Sequence, residues 1–417
     1  MKKVIPRYGL LILLFCLILS GCSREHPDTE EEYKKMSIAE ISEEADNIDF
    51  QYDNLDFSGA EIIIPDVDEM VSVNFPVSTD SLKRQIEKFE ANIRKLNGLD
   101  GSVDLTPYLN IIYWDYEANN RLVVPLDEAT EEQLEDIQYL SYNDGICSEL
   151  IVFSNFMCEI GNYEIPTSLT GDTTDYSDDA YGYRAYDLGE LAEVYQIPED
   201  DISGVAYPLM DGEVSLQEAV EYTEQHIKED YYFVGSDLLD YRVWRVEVRQ
   251  IAEDIYYYQF DIQAVYHDVP VNKDGGVGIE AEDEMTEDPL ALMPFGTDHL
   301  ASMFRKGHID FIWSSCHSYE SEEVQDIHTD LLPLETACGI LSGYISDKQV
   351  TEIESVELLY QTKFRYESAE KRQYGYIQEI CCQPAYHFVV ANPGLMGYDA
   401  LYFDVDSVTG VISTMAN

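Results

Sequence analysis

Three histidines and one cysteine, His308, Cys316, His317 and His328, fall close together in a chain that holds only eight histidines. Imidazole nitrogen and thiolate sulfur are the ligands that zinc and copper prefer. The spacing matches no standard site: there is no His-Glu-x-x-His and no histidine pair three to five residues apart. Exposed loop and strand histidines are the plainer reading, and no metal centre is expected. Asp172, Asp175, Asp178 and Asp179 gather carboxylates in one acidic loop. Calcium needs six to eight converging oxygens, usually with a glycine turn and a bidentate glutamate. That pattern is missing, so calcium stays an open cofactor and not an expected one. No Gly-x-Ser-x-Gly occurs, and acidic pairs are too common for a glycosidase pair to stand out. The chain is read as no enzyme. It carries 32 tyrosines, a residue common at interfaces. Tyr231-Tyr-Phe233 and Tyr256-Tyr-Tyr258 would alternate faces in a strand. Ordinary strand propensity accounts for much of this; if a binding face exists, Trp244 and Tyr257 are expected on it.

The amino terminus is the most informative stretch. Lys2, Lys3 and Arg7 precede an apolar run, Gly9 to Leu19, which ends in Leu19-Ser20-Gly21-Cys22. A charged start, a short apolar run and small residues before the end mark a secretory signal, residues 1–21. The run is well short of the roughly 20 apolar residues a membrane span needs. Leu19, Ser20, Gly21 and Cys22 resemble a bacterial lipobox. The resemblance implies cleavage before Cys22 and a diacylglycerol on its sulfur, so the protein is expected outside the cytoplasm, held to the cell membrane through that lipid.

Charge narrows the partners. The chain has 82 acidic and 25 basic residues, a formal net charge of −57. Such a surface repels nucleic acid, whose phosphates need Lys and Arg. It also repels anionic headgroups, leaving the lipid as the membrane contact. A basic-faced partner or solubility outside the cell are the two readings of the acidity. Beyond Cys16 and Cys22 there remain Cys147, Cys158, Cys316, Cys338, Cys381 and Cys382. One or two bridges at most are expected, with Cys147–Cys158 able to close a hairpin.

Residues 22–56 are acidic and poor in bulky apolar groups, and read as a tether, with a short helix near Met36 to Ala45. Three α+β domains then follow, of antiparallel sheets packed with helices. In the first, 57–200, Ala60 to Ile64 and Val71 to Phe75 are strands. Leu82, Ile86, Phe89, Ile93 and Leu96 recur at helical spacing. Thr130 and Gln133 cap a second helix with Leu134, Ile137 and Leu140 inward. In the second, 201–300, Ser215 and Glu218 cap a helix whose face is Leu216, Ala219, Val220, Thr223 and Ile227. Trp244, Val246 and Val248 share one side of a strand. Ile255 to Tyr266 alternates, with Gln259, Asp261 and Gln263 on the polar side. In the third, 301–417, Leu334, Cys338, Leu341 and Ile345 form a helical face. Strands follow at Ile353 to Tyr360, Ala385 to Val390 and Leu401 to Val405, and Asp404-Val-Asp406 shapes a turn.

The order helix, strand, strand, strand thus occurs twice. Ser215 to Ala219, Tyr256 to Tyr266 and Ala385 to Ile412, the last ending Val-Asp-x-x-Thr-Gly-x-Ile, resemble PepSY-type and YycH/YycI-type extracytoplasmic modules. Ala60 to Met70 is similar to uncharacterised lipoproteins of gut Clostridia, which are Gram-positive bacteria. The resemblance implies two PepSY-like domains and a regulatory or inhibitory binding role. The expected function is a non-catalytic surface lipoprotein that binds a protein partner at the outer membrane face. The alternatives are a lipoprotein that binds a cation, glycan or peptide, and an extracellular hydrolase.

Overall fold

A computed structural model describes residues 33–45, 50–76, 86–87, 89–91, 93–94, 99–115, 120–135, 137–143, 147–152, 158–162, 189–198, 200–230, 238–272, 277–278, 293–294, 299–314, 321–345, 350–366, 377–396 and 401–416. The first elements of the described residues are β1 (Met36–Ser37) and α1 (Ile38–Ala45). Ser37 and Glu40 cap that helix reciprocally. The Ser37 N–H donates to Glu40 Oε2 at 2.9 Å, and the Glu40 N–H donates to Ser37 Oγ at 3.3 Å. Ile38 and Ile41 are buried. Three strands follow: β2 (Leu55–Asp56), β3 (Glu61–Ile63) and β4 (Met70–Pro76).

Next come β5 (Leu109–Asp115), β6 (Asn120–Pro125), α2 (Glu131–Glu135), β7 (Ile137–Asn143), β8 (Cys147–Val152), β9 (Cys158–Asn162) and β10 (Glu190–Gln196). Phe89, Ile93, Leu105, Leu109, Ile111, Leu140 and Tyr142 form a small core of their own. The Thr130–Gln133 box closes, with the Thr130 N–H donating to Gln133 Oε1 at 2.9 Å. The helix it starts is shorter than the periodicity predicts. Ile137 and Leu140 lie on β7, where pairing with β5 and β8 on both edges overrides a helical run.

Then follow β11 (Ala206–Leu209), β12 (Gly212–Ser215), α3 (Leu216–Asp230), β13 (Asp240–Ala252), β14 (Ile255–Tyr266), β15 (Val269–Pro270), β16 (Val277–Gly278), β17 (Met293–Pro294), β18 (His299–Met303) and β19 (Phe311–Ser314). Ser215 Oγ accepts the Glu218 N–H at 3.2 Å and starts α3. The buried face of α3 is the one the sequence marks: Leu216, Ala219, Val220, Thr223 and Ile227. β13 departs from simple alternation. Its register slips between Val243 and Arg245, so Tyr241 and Val243 are buried, then Val246 and Val248. Trp244 is the extra residue of that bulge in the pairing with β14, while its carbonyl stays in register with β10.

The last elements are β20 (Glu323–His328), β21 (Asp330–Leu331), α4 (Leu334–Tyr344), β22 (Thr351–Tyr366), β23 (Ile377–Val390), β24 (Leu401–Asp406) and β25 (Ile412–Ala416). Two large sheets result, and the fold is α+β. The eleven-stranded sheet runs β10-β13-β14-β18-β19-β9-β8-β7-β5-β6, with β15 on β14. The ten-stranded sheet runs β16-β25-β24-β23-β22-β17, with β4 on β23, β20 on β4, and β2 and β3 on β22.

This topology corrects two expectations. Residues 35–417 form one unit, and its larger core takes residues from both large sheets. The Tyr266 ring meets Phe75 and Tyr360 at centroid distances of 5.4 and 5.6 Å. The boundaries near 200 and 300 fall inside the eleven-stranded sheet, and residues 57–200 divide between both sheets. Residues 36–56 are no tether. A third of them are acidic, but they clamp α4, whose N-cap is Pro333 and supplies no side-chain acceptor. Glu44 accepts the Leu334 and Glu335 N–H groups at 2.9 and 3.2 Å. At the other end Asn54 Nδ2 donates to the carbonyls of Ser342 and Ile345 at 2.8 and 3.1 Å. Amides and carbonyls at helix ends lack partners within the helix, and a carboxylate suits the amino end.

The repeated order of elements has a structural counterpart. α3 precedes β13, β14 and β18; α4 precedes β22, β23 and β24. Tyr258 on β14 donates its hydroxyl to the Val214 carbonyl at 2.7 Å. Tyr386 on β23 donates to the Leu332 carbonyl at 2.6 Å. Each carbonyl lies two residues before its helix begins. Burial raises both phenol pKa values, so the hydroxyls stay protonated donors. Tyr258→Phe and Tyr386→Phe are each expected to cost about 1–3 kcal/mol, the penalty for a buried acceptor left without its donor. Urea unfolding of the two variants checks this; a loss in one and none in the other would deny their equivalence.

Candidate functional site

The two tyrosines fix an alignment of the units, and the alignment brings out one row across each sheet. Tyr258 pairs with Val248 and Met303, so the next row is Glu247, Gln259 and Ser302. Tyr386 pairs with Leu358 and Val405, so the matching row is Glu357, His387 and Asp404. Short sequence echoes accompany it: Val246-Glu-Val248 against Val356-Glu-Leu358, and Tyr258-Gln-Phe260 against Tyr386-His-Phe388. Both rows lie on the sheet face opposite the tyrosines.

In the second unit the row holds a buried acid–base pair. His387 Nδ1 is 2.7 Å from Asp404 Oδ1, and both side chains are almost wholly inaccessible. Gln361 Nε2 donates to the other carboxylate oxygen, Asp404 Oδ2, at 2.7 Å. Tyr402 stacks on the imidazole at 5.3 Å. A carboxylate on Nδ1 is how proteins fix an imidazole's orientation for proton transfer. Cys381 shares the face, two strand steps beyond Gln383, but burial and then Glu379 push its thiol up to about 12. A thiol held protonated is a poor nucleophile. The geometry describes an ordered network of His387, Asp404 and Gln361.

The first unit carries charge in the same place. Arg245 Nη1 meets Asp261 Oδ2 at 2.9 Å, and its other nitrogen meets Glu247. Arg249 Nη2 meets the same Glu247 at 2.7 Å. Tyr257 lies on this face, wholly buried and stacked on Phe304 at 4.3 Å. Asp310 accepts the Phe304 and Arg305 N–H groups at 2.9 and 3.1 Å and pairs with the Arg305 side chain. Burial raises the pKa of Asp310, with Arg305 pulling the other way.

These positions revise the sequence-derived candidates. Tyr257 is no surface residue, because β14 is buried on both faces. Trp244 is half-buried at its bulge, and its carbonyl accepts the Ile197 N–H at 2.8 Å. His308 is exposed between β18 and β19 of the eleven-stranded sheet. His328 lies on β20 of the other sheet, its Nε2 2.8 Å from Ser72 Oγ. The two are not brought together, and among the described residues no group of three or more His, Cys, Asp or Glu is placed to hold a metal ion. Cys316 and His317, the aspartates at 172, 175, 178 and 179, and Leu19 to Cys22 lie outside the described residues. Cys147 pairs with Asn162, whereas Cys158 pairs with Ile151. Four steps along a strand separate them by roughly 13 Å, too far for a disulfide's Cα spacing of at most about 7 Å. Cys338, Cys381 and Cys382 are buried free thiols. Asp406 shapes the turn as expected, accepting the Val408 and Thr409 N–H groups at 2.9 and 2.8 Å. Asp404 does not; it belongs to His387.

No family model matches the chain, and no curated protein does. A crystal structure of an uncharacterized protein from Eubacterium rectale is similar at a TM-score of 0.45 and 11% identity, over 85% of this chain and 89% of that one.

Proposed function

We propose that this chain is a lipid-anchored extracytoplasmic protein that works by binding a protein partner, without catalysis, and that its last two units are PepSY-like. The lipobox-like Leu19 to Cys22 and the acidic surface support the location. The observation that carries the binding role is β10. It lies at the end of the eleven-stranded sheet with nearly every side chain exposed, Leu191 and Val194 among them. An exposed apolar edge invites strand pairing and is ordinarily blunted. The polar pairs support the same reading, since His387 is engaged with Asp404 and Arg245 with Glu247.

Fractionation with crosslinking tests both halves. The wild-type chain is expected in the membrane fraction and Cys22→Ala in the soluble fraction, with one dominant crosslinked protein on the wild type. Membrane retention of Cys22→Ala would remove the anchor, and an adduct-free chain would remove the partner.

A further inference from the structure

We propose that the free edge of β10 takes up an extended, lysine- or arginine-rich segment of a partner protein as an added antiparallel strand. This rests on the partner-binding reading and gives it a surface. β10 pairs with β13 along one side, and no described strand pairs with the other. Two consecutive amides show which groups face outward. The Ile197 N–H donates inward, to the Trp244 carbonyl of β13, whereas the Gln196 N–H points away and is taken by Asp200 Oδ2 at 2.8 Å. Backbone groups alternate sides along a strand, so the Val194 amide and carbonyl also face outward, where no side chain of the described residues is recorded as capping them. Asp200 thus closes one end of the edge and leaves Val194 open.

Side chains add an apolar grip. Leu191 is 52% exposed and Val194 38%. Opposite Arg249 and Glu247 in register, they share one face. Edge strands are blunted by lysine, proline, other charges or bulges; β10 has no lysine or proline, and its bulge between Leu191 and Glu193 leaves Glu193 to Gln196 as the regular edge. β20 presents Val324 and Ile327 in a similar way, but its own Asp326 occupies the Ile327 amide.

Charge selects the occupant. Residues 185–227 contain no Lys or Arg, and β10 itself carries Glu190 and Glu193. A second copy would set these glutamates against another such edge on a chain of net charge −57, so self-pairing is opposed. A strand alternating basic and β-branched residues would meet the glutamates with opposite charge. It would meet the Val194 backbone with hydrogen bonds, the mode by which sheet edges capture peptides.

The test uses the full chain and a decapeptide alternating Lys with Val, against its Glu–Val counterpart. Saturable binding of the Lys–Val peptide is expected, weakened by salt and weakened about tenfold or more in Val194→Pro, which removes only an outward amide. The Glu–Val peptide is expected not to bind. Absence of saturable binding, or equal binding by Val194→Pro, overturns the proposal. Should Val194→Pro lose its folded circular dichroism, the Glu190→Lys/Glu193→Lys double variant carries the same tenfold criterion. The two readings separate in the crosslinking experiment. A native adduct kept by Val194→Pro leaves the partner-binding reading standing and removes the β10 edge.

Discussion

Replacing His387 with alanine is expected to destabilise the protein by about 3–5 kcal/mol, the range for deleting one member of a buried pair and leaving the other group without it. Asp404 has no accessible side-chain surface, and its carboxylate is held by His387 on one oxygen and Gln361 on the other. Deleting the imidazole leaves that carboxylate with one donor and opens a void beside Tyr402. His387→Gln is a different case. The matching row of the first unit holds Gln259 at this position, between Glu247 and Ser302. A glutamine amide can donate to Asp404 in place of Nδ1, so the loss is expected to stay within about 1.5 kcal/mol. Urea unfolding at neutral pH measures both. Equal losses for the two variants would show that the row needs the imidazole's shape and not a donor to Asp404.

Acid is expected to weaken the protein through His299. This imidazole on β18 is fully enclosed beside Tyr241, and burial holds its pKa down at about 3. The unfolded chain binds the proton near the ordinary value of about 6.5. Between these values the unfolded state carries a proton that the folded state refuses, so unfolding is favoured as pH falls. The stability is whole above about pH 6.5 and is lost at about 1.4 kcal/mol per pH unit below it, some 3 kcal/mol by pH 4. His328 acts in the same direction, its pKa lowered by burial. Falling pH also discharges the carboxylates of this acidic chain, which relieves repulsion and works the other way. Comparison with His299→Gln isolates the imidazole. The gap between wild type and variant is expected to widen steadily from pH 6.5 to pH 4, and parallel curves would refute the assignment.

Local chemistry was readable where it acts over a few residues. The Ser215–Glu218 and Thr130–Gln133 boxes, the inward face of α3 and the turn at Asp406 follow from spacing alone. What spacing does not carry is the side of a strand that gets covered. β14 alternates as a half-exposed strand should, yet both of its faces are buried, and Tyr257 goes inside with them. A one-residue bulge at Trp244 breaks the pairing of β13 with β14, and nothing at Val243 to Arg245 announces it. The acidic character of residues 36–56 suggested a solvated spacer. Glu44 and Asn54 instead spend their polarity on the two ends of α4, some 290 residues away. His387 stands alone in the sequence, with no other histidine within 50 residues. Its partners, Asp404 and Gln361, come from neighbouring strands and meet only through register. The echo of Tyr-Gln-Phe in Tyr-His-Phe was the available signal.

The clamp on α4 also sets an order of events. A chain emerging amino-terminus first presents residues 36–76 early, but their partners on β21, α4, β22 and β23 arrive last. α1 and β4 must therefore wait as unpaired polymer while nearly the whole length is delivered. Closing so large a loop is slow, because chain entropy is lost before the contacts that reward it form. Completion of the ten-stranded sheet becomes a checkpoint on full length. A product that stops short of β20 lacks every strand on which β1 to β4 pair, and its beginning, although chemically intact, stays exposed to proteases.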